Sequence, residues 1–290
     1  MSSSAPRISE PRERAPRPAS SRLGPTERTA GGASAGGGRG GSRSGRGASG
    51  VRVRKLERGA DDGYSSPLVQ GLRSSTDAER LAEEIAFAAA RLVLMDTDPP
   101  EPLASIARGS ADLEERTWRA VQFELDPAGT EEPVSWASGT GAEPYRAWAA
   151  RVGSQEAAIT GEAYWTPGRR FERIFERLGT LGLLDREARF DLLVLLGRLG
   201  LYALEAERIF LSGENEPTWA AKRAFGIADP LLLERRAADL AAACHVPLAA
   251  LDLGLRNWNV GATRRSGRGV PDELEPEPDL LATVRGALGL

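Results

Sequence analysis

The sequence predicts an all-α protein preceded by a disordered N-terminal tail, and three observations carry that prediction. Apolar residues recur at helical spacing through most of residues 75–260, and no run of convincing two-residue alternation appears. The stretch from Trp165 to Trp258 reads as short helices broken by tight apolar turns that restart at once. Charge is divided unevenly. Residues 1–60 hold 13 Lys+Arg against 4 Asp+Glu, a net +9, whereas the remaining 230 hold 25 against 37, a net −12, which together give the −3 of the whole chain.

Residues 1–74 read as the tail, because Ser, Pro, Gly and Arg dominate and too little apolar surface is present to offset the entropy of ordering. Residues 75–260 form the helical domain. Thr76 and Glu79 make a capping box that opens its first helix, with Leu81, Ile85, Ala88, Leu92 and Met95 on one face and Pro99 and Pro100 ending it. A second helix spans about Leu113 to Phe123. Residues 127–143 are turn-rich without a period and read as a loop. Short helices follow near Pro144 to Arg151 and Ser154 to Ile159. Thr166 as N-cap and Pro167 at the first helical position open the next, with Phe171, Ile174, Phe175 and Leu178 on its apolar face. Pro217 and Pro247 mark two further helix starts. Residues 261–290 read as a linker and a short helix from about Leu280 to Leu288.

Composition excludes several classes. A single cysteine, Cys244, rules out an intramolecular disulfide framework, and no apolar run reaches the roughly 20 residues of a membrane span. The expectation is a cytoplasmic protein with no membrane partner. His245, the one histidine, is adjacent to Cys244, and neighbours on a helix do not face each other, so the two are not a nucleophile–base pair. One His and one Cys cannot build a zinc or iron–sulfur site, and no phosphate-binding glycine motif follows a predicted strand. Asp96 and Asp98 are explained equally by a divalent ion or by a helix terminus. No metal and no cofactor are expected.

A helix that stops at a turn and restarts at once is the helix-hairpin-helix pattern, which offers backbone N–H groups at a helix N-terminus to a phosphate. DNA is therefore the expected partner. The turn around Gly226 carries Asp229 as a cap for the helix begun by Pro230, with Lys222, Arg223, Arg235 and Arg236 flanking it. The alternative reading of these cations is a solvated helix face. The Arg- and Gly-rich tail suits salt-dependent, sequence-independent contact with the same partner.

Five strings, YRAWAARVGSQEAAITGEAYWTPGRRFERIF, ARFDLLVLLGRLGLY, AAKRAFGI, DPLLLERRA and VPLAALDLGLRNW, make residues 75–260 resemble the DNA-glycosylase superfamily. Within it they resemble the alpha-glutamyl/putrescinyl thymine pyrophosphorylases of clade 3. The resemblance implies a helix-hairpin-helix DNA-glycosylase-like fold. It also implies an enzyme that displaces pyrophosphate from a modified hydroxymethyl-uracil base in DNA with the amine of putrescine or glutamate. Laid on the superfamily's Leu-Pro-Gly-Val-Gly-Arg-Lys hairpin, Leu181 takes the first position and Arg186 and Glu187 the last two. Arg186 then stands among the DNA-binding residues. Glu205 follows Glu187 by 18 residues, so Glu205, or Glu207 in a shifted register, falls where the superfamily has its essential carboxylate.

The chain departs from the motif in ways that bear on chemistry. Gly182 replaces the proline, Leu183 and Asp185 replace the glycines, and Glu187 replaces a lysine that could form an imine, which argues against a lyase. The flipped base that the resemblance implies needs an aromatic wall, for which Trp165, Trp219, Trp258 and Tyr164 are available, with core packing as the other reading of each. Asp252 is a further candidate carboxylate, or a local cap. Beside the transferase reading stand two others: a non-catalytic DNA-binding protein on the same fold, and a lesion-specific glycosylase without lyase activity.

Overall fold

The computed structural model describes residues 59–126, 133–260 and 274–290. Among them all regular structure is helical, eleven α-helices and one 3-10 turn with no strand. The expected disorder of residues 1–58 lies outside the described residues. Residues 59–74, expected in the tail, belong instead to the fold. Val69 is 0% and Leu72 3% exposed, and Gly71 N–H donates to the Ala224 carbonyl at 2.9 Å. The overall Ser/Gly/Arg composition conceals this short PLVQGL anchor, which buries its two apolar residues against later helices.

Helix α1 (Ser75–Thr97) is capped by Ser74, not by the expected Thr76; the Ser74 backbone is extended and its side chain accepts from Asp77 N at 3.4 Å. Its face of Leu81, Ile85, Ala88, Leu92 and Met95 is buried as the spacing predicts. A short helix α2 (Leu103–Arg108), absent from the sequence reading, precedes α3 (Leu113–Leu125). Of the expected 127–143 loop, 127–132 lies outside the described residues, and Trp136–Ser138 forms the 3-10 turn. Then come α4 (Glu143–Val152), α5 (Gln155–Thr160) and α6 (Pro167–Gly179). The Thr166 cap accepts from Arg169 N at 3.2 Å, and Phe171, Ile174, Phe175 and Leu178 are buried. The remaining helices are α7 (Arg186–Arg198), α8 (Glu216–Phe225), α9 (Pro230–Ala243), α10 (Leu248–Val260) and α11 (Pro278–Leu288).

Helix α10 is the centre of the unit. Every residue from Ala249 to Asn259 is buried, with α1 and α8 packed along it. Gly254 permits the α1 crossing, because a Cβ there would lie 2.9 Å from Ile85 Cα. This burial on all sides explains why α10 is so apolar; no single helix among the described residues is long and apolar enough to cross a membrane. Helix α11 folds back on α1 through Arg285–Glu79 at 2.6 Å and through the Tyr64 hydroxyl, which donates to the Leu288 carbonyl at 2.5 Å. The C-terminal helix is thus part of the same compact unit. Cys244 is fully buried, and burial pushes its thiol from 9.0 up to about 11, which keeps it protonated and unreactive near neutral pH.

Candidate functional site

The first hairpin joins α6 to α7 through residues 180–185. Its left-handed residue is Gly182 at φ 65, not either of the two positions that carry glycine in the superfamily motif. Asp185 caps α7, accepting from Ala188 N at 2.7 Å. The second hairpin repeats the arrangement: Gly226 turns left-handed at φ 70, and Asp229 accepts from both Leu231 N and Leu232 N at 3.0 Å. In both turns a carboxylate occupies the helix N-terminus that a phosphate would need. Asp185 takes one of the free amides of α7 and Asp229 takes two of α9, and each capping charge repels an anion. At both hairpins the capping carboxylate thus competes with a phosphate for the expected backbone cradle.

Beneath the first hairpin, α7 and α10 exchange two buried ion pairs. Arg186 binds Asp252 with both terminal nitrogens, at 3.0 and 2.5 Å, donates also to the Ile209 carbonyl, and lies 4.7 Å from the Phe190 ring centroid. One helical turn further along each helix the roles reverse, and Arg256 binds Asp191 at 2.9 and 2.8 Å. Burial opposes the charge on Arg256, yet the charge and hydrogen bonds of Asp191, with Asp252 and Glu187 behind them, raise its pKa above the ordinary value. Asp252 is 0% exposed and Arg186 9%. The two residues expected as a catalytic carboxylate and a DNA-binding cation are thus each other's partners, and the correction has a plain physical reason. A charge on an apolar helix face must be paired inside the fold. Asp191 and Arg256 escaped the sequence reading, although their place on the apolar faces of α7 and α10 was the signal for them.

The loop between α7 and α8 carries Glu205 and Glu207, both exposed. Three elements hold it. Glu205 N donates to the Pro167 carbonyl at 3.4 Å, Glu234 on α9 accepts from Ile209 N at 3.2 Å and Leu211 N at 2.5 Å, and Arg186 takes the Ile209 carbonyl. The Glu207 carboxylate lies over the N-terminus of α6, where a Cβ on Gly168 would be 1.9 Å from its carboxyl carbon. That is the favourable end of the helix dipole for an acid. The loop sets the two glutamates against the start of α6 and is tied through Ile209 and Leu211 to Arg186 and to Glu234 of α9.

The four cations of the second hairpin divide. Arg223 points inward, 3.3 Å from Asp77 and 4.0 Å above the Trp258 ring, and is a structural residue. Lys222 in the last turn of α8, and Arg235 and Arg236 in the second turn of α9, form no ion pair among the described residues. Beside them Leu231 is 76% and Leu232 51% exposed, and Trp219, one turn before Lys222, is 45% exposed. Trp219 was among the aromatic candidates of the sequence, whereas Leu231 and Leu232 were not singled out there.

The expected aromatic wall is not assembled. Trp258 is buried and its indole N–H donates to the Asp77 carbonyl at 3.0 Å. Trp165 is buried under Arg177, whose guanidinium lies 5.1 Å from its ring. Trp219 and Tyr164 are exposed. Trp258 belongs to the core with its indole N–H satisfied there, and Trp165 packs into the core beneath a cation. Among the described residues no three His, Cys, Asp or Glu side chains gather as a metal would require. Asp96 is taken by Arg198 at 2.9 Å and Asp98 by Arg108 at 3.7 Å.

No protein-family model, no curated protein and no solved structure matches the chain. The likeness to thymine pyrophosphorylases rests on the sequence strings alone.

Proposed function

We propose that this is a DNA-binding protein whose folded unit meets the duplex at the α8–α9 hairpin. Side chains make the contact, not a backbone cradle: Lys222, Arg235 and Arg236 reach phosphates, while Leu231 and Leu232 form an apolar tip against sugar or base edges. The observation that carries the reading is the coincidence, at one turn, of three cations that form no ion pair among the described residues and two largely exposed leucines. Residues 61–290 are acidic, with 25 basic against 37 acidic residues, so DNA is repelled from most of the surface and admitted where the cations lead. The basic residues of the N-terminal 60 add affinity without sequence readout. The double substitution Leu231→Ser with Leu232→Ser is expected to weaken duplex binding about tenfold and to leave the unfolding temperature unchanged or slightly higher. Fluorescence anisotropy and thermal unfolding on the same samples check this, and undiminished DNA affinity would contradict it.

A second reading is kept because Glu205 and Glu207 are exposed carboxylates on a loop fixed at both ends. It is the enzyme that the resemblance implies. The amine nitrogen of putrescine or glutamate would attack the methylene carbon of the pyrophosphorylated hydroxymethyl-uracil. The carbon–oxygen bond would break, pyrophosphate would leave with the bonding electrons, and Glu205 or Glu207 would take the ammonium proton. Under this reading Glu205→Gln or Glu207→Gln lowers the release of pyrophosphate from such DNA by about 10² or more with binding intact. Wild-type protein that binds this DNA and releases no pyrophosphate in the presence of either amine rules the reading out.

A further inference from the structure

Helix α8 turns a tryptophan to solvent. Its inner side buries Ala220, Ala221, Ala224 and Phe225 along α10 and the hairpin, and Trp219 faces the other way. All six tryptophans of the chain fall among the described residues. Trp118, Trp148, Trp165 and Trp258 are buried, and Trp136 is half-buried beneath the Arg146 guanidinium, which leaves Trp219 as the exposed one. A single apolar side chain on a surface needs no explanation, but Trp219 does not stand alone: Leu231 and Leu232 are exposed on the other arm of the same hairpin.

Trp219 and Lys222 are three residues apart on α8 and share a face, with Cβ atoms about 5–6 Å apart. The acid one turn before them, Glu216, is turned to α10, where its carboxylate accepts from Asn259 Nδ2 at 2.5 Å. The face therefore offers a flat apolar ring with a cation beside it. On an intact duplex the phosphates answer the cation, but little answers the ring. Paired bases are stacked face on face, and the grooves present mostly their polar edges. An unpaired base presents its whole face, and its own phosphate lies one sugar away, within reach of a lysine side chain one helical turn along.

We infer that the α8–α9 hairpin takes DNA with unpaired bases ahead of intact duplex, Trp219 stacking on one base and Lys222 holding the phosphate beside it. This rests on the hairpin being the place where the protein meets DNA, and it adds which DNA is met there. Stacking uses the π-face that every base has, so the preference is for the unpaired state and carries no sequence readout.

The test sets the full chain against two labelled DNAs, a fully paired duplex and the same duplex with a short central bubble of unpaired thymines. The wild type is expected to bind the bubble about tenfold more tightly than the paired duplex. Trp219→Ala is expected to lose that advantage, weakening the bubble about tenfold and leaving the paired duplex as it was, at unchanged helical circular dichroism. Trp219→Phe keeps a ring and should keep most of the preference. Stacking also quenches an indole, so the fluorescence that the wild type loses on binding the bubble should be absent from Trp219→Phe. The triple variant Lys222→Ala, Arg235→Ala, Arg236→Ala separates the two levels of the account. If it weakens neither DNA, the hairpin is not the DNA contact and the stacking inference falls with it. If it weakens both, then equal wild-type affinity for bubble and duplex, a bubble preference that survives Trp219→Ala, or the same quenching in Trp219→Phe overturns the stacking inference alone.

Discussion

Asp252→Ala is expected to cost about 3–5 kcal/mol of stability, among the largest single losses available to this chain. The aspartate is fully buried and receives both terminal nitrogens of Arg186. Its removal strands a guanidinium that is itself 9% exposed, with the Ile209 carbonyl and the Phe190 ring left to it among the described residues. It also takes away one of the charges that stabilise Arg256. The loop bearing Glu205 and Glu207 is tied through Ile209 to the same arginine, so loosening should spread there. The double variant Arg186→Met with Asp252→Leu removes both charges, keeps the volume, and is expected to recover most of the loss. Urea unfolding of the two variants checks the claim. A single variant within 1 kcal/mol of wild type, or a double variant no better than the single, would show that the pair does not hold the fold together.

Gly226→Val should cost roughly 2–4 kcal/mol, from strain and from overpacking together. Gly226 sits at φ 70, where a β-branched residue is strained, and a Cβ there would come 3.2 Å from Gly71 Cα. Gly71 cannot retreat. It donates to the Ala224 carbonyl at 2.9 Å, and its own α-carbon faces the end of α8 so closely that a Cβ on it would lie 2.1 Å from the Arg223 carbonyl. Gly226→Asn, which tolerates the left-handed region, is expected to lose far less. Comparable losses in Val and Asn variants would place the cost in packing alone, and no loss in either would contradict the turn geometry.

Helix periodicity and capping chemistry were legible in the sequence wherever one local rule decided the outcome. Thr166 with Pro167, and Asp229 with Pro230, mark helix starts found at those positions. The Ser74 start was misplaced by two residues because Ser74, Ser75 and Thr76 all make acceptable caps, and only the packing of residues 59–74 selects among them. The candidate site was legible as a set of positions and far less as a set of roles. Arg186, Arg223, Asp252 and Trp258 were marked as site residues and are packed inside the fold, because a single sequence cannot tell a charge on a helix that faces solvent from one that faces a partner 66 residues away. Their pairing is a tertiary fact. So is the exposure of Leu231 and Leu232, which follows from α9 presenting Leu233, Ala237, Leu240 and Ala241 to the core instead.

The most direct measurement is the salt dependence of duplex binding by the full chain and by the triple variant Lys222→Ala, Arg235→Ala, Arg236→Ala. If these three side chains each neutralise a phosphate, the slope of log affinity against log salt concentration should become shallower by about 2.7, from roughly 0.9 per contact. Thermal unfolding should be unchanged, since surface charges of this kind contribute little to stability. A triple variant with the wild-type slope and affinity would contradict the hairpin as the place where this protein meets DNA.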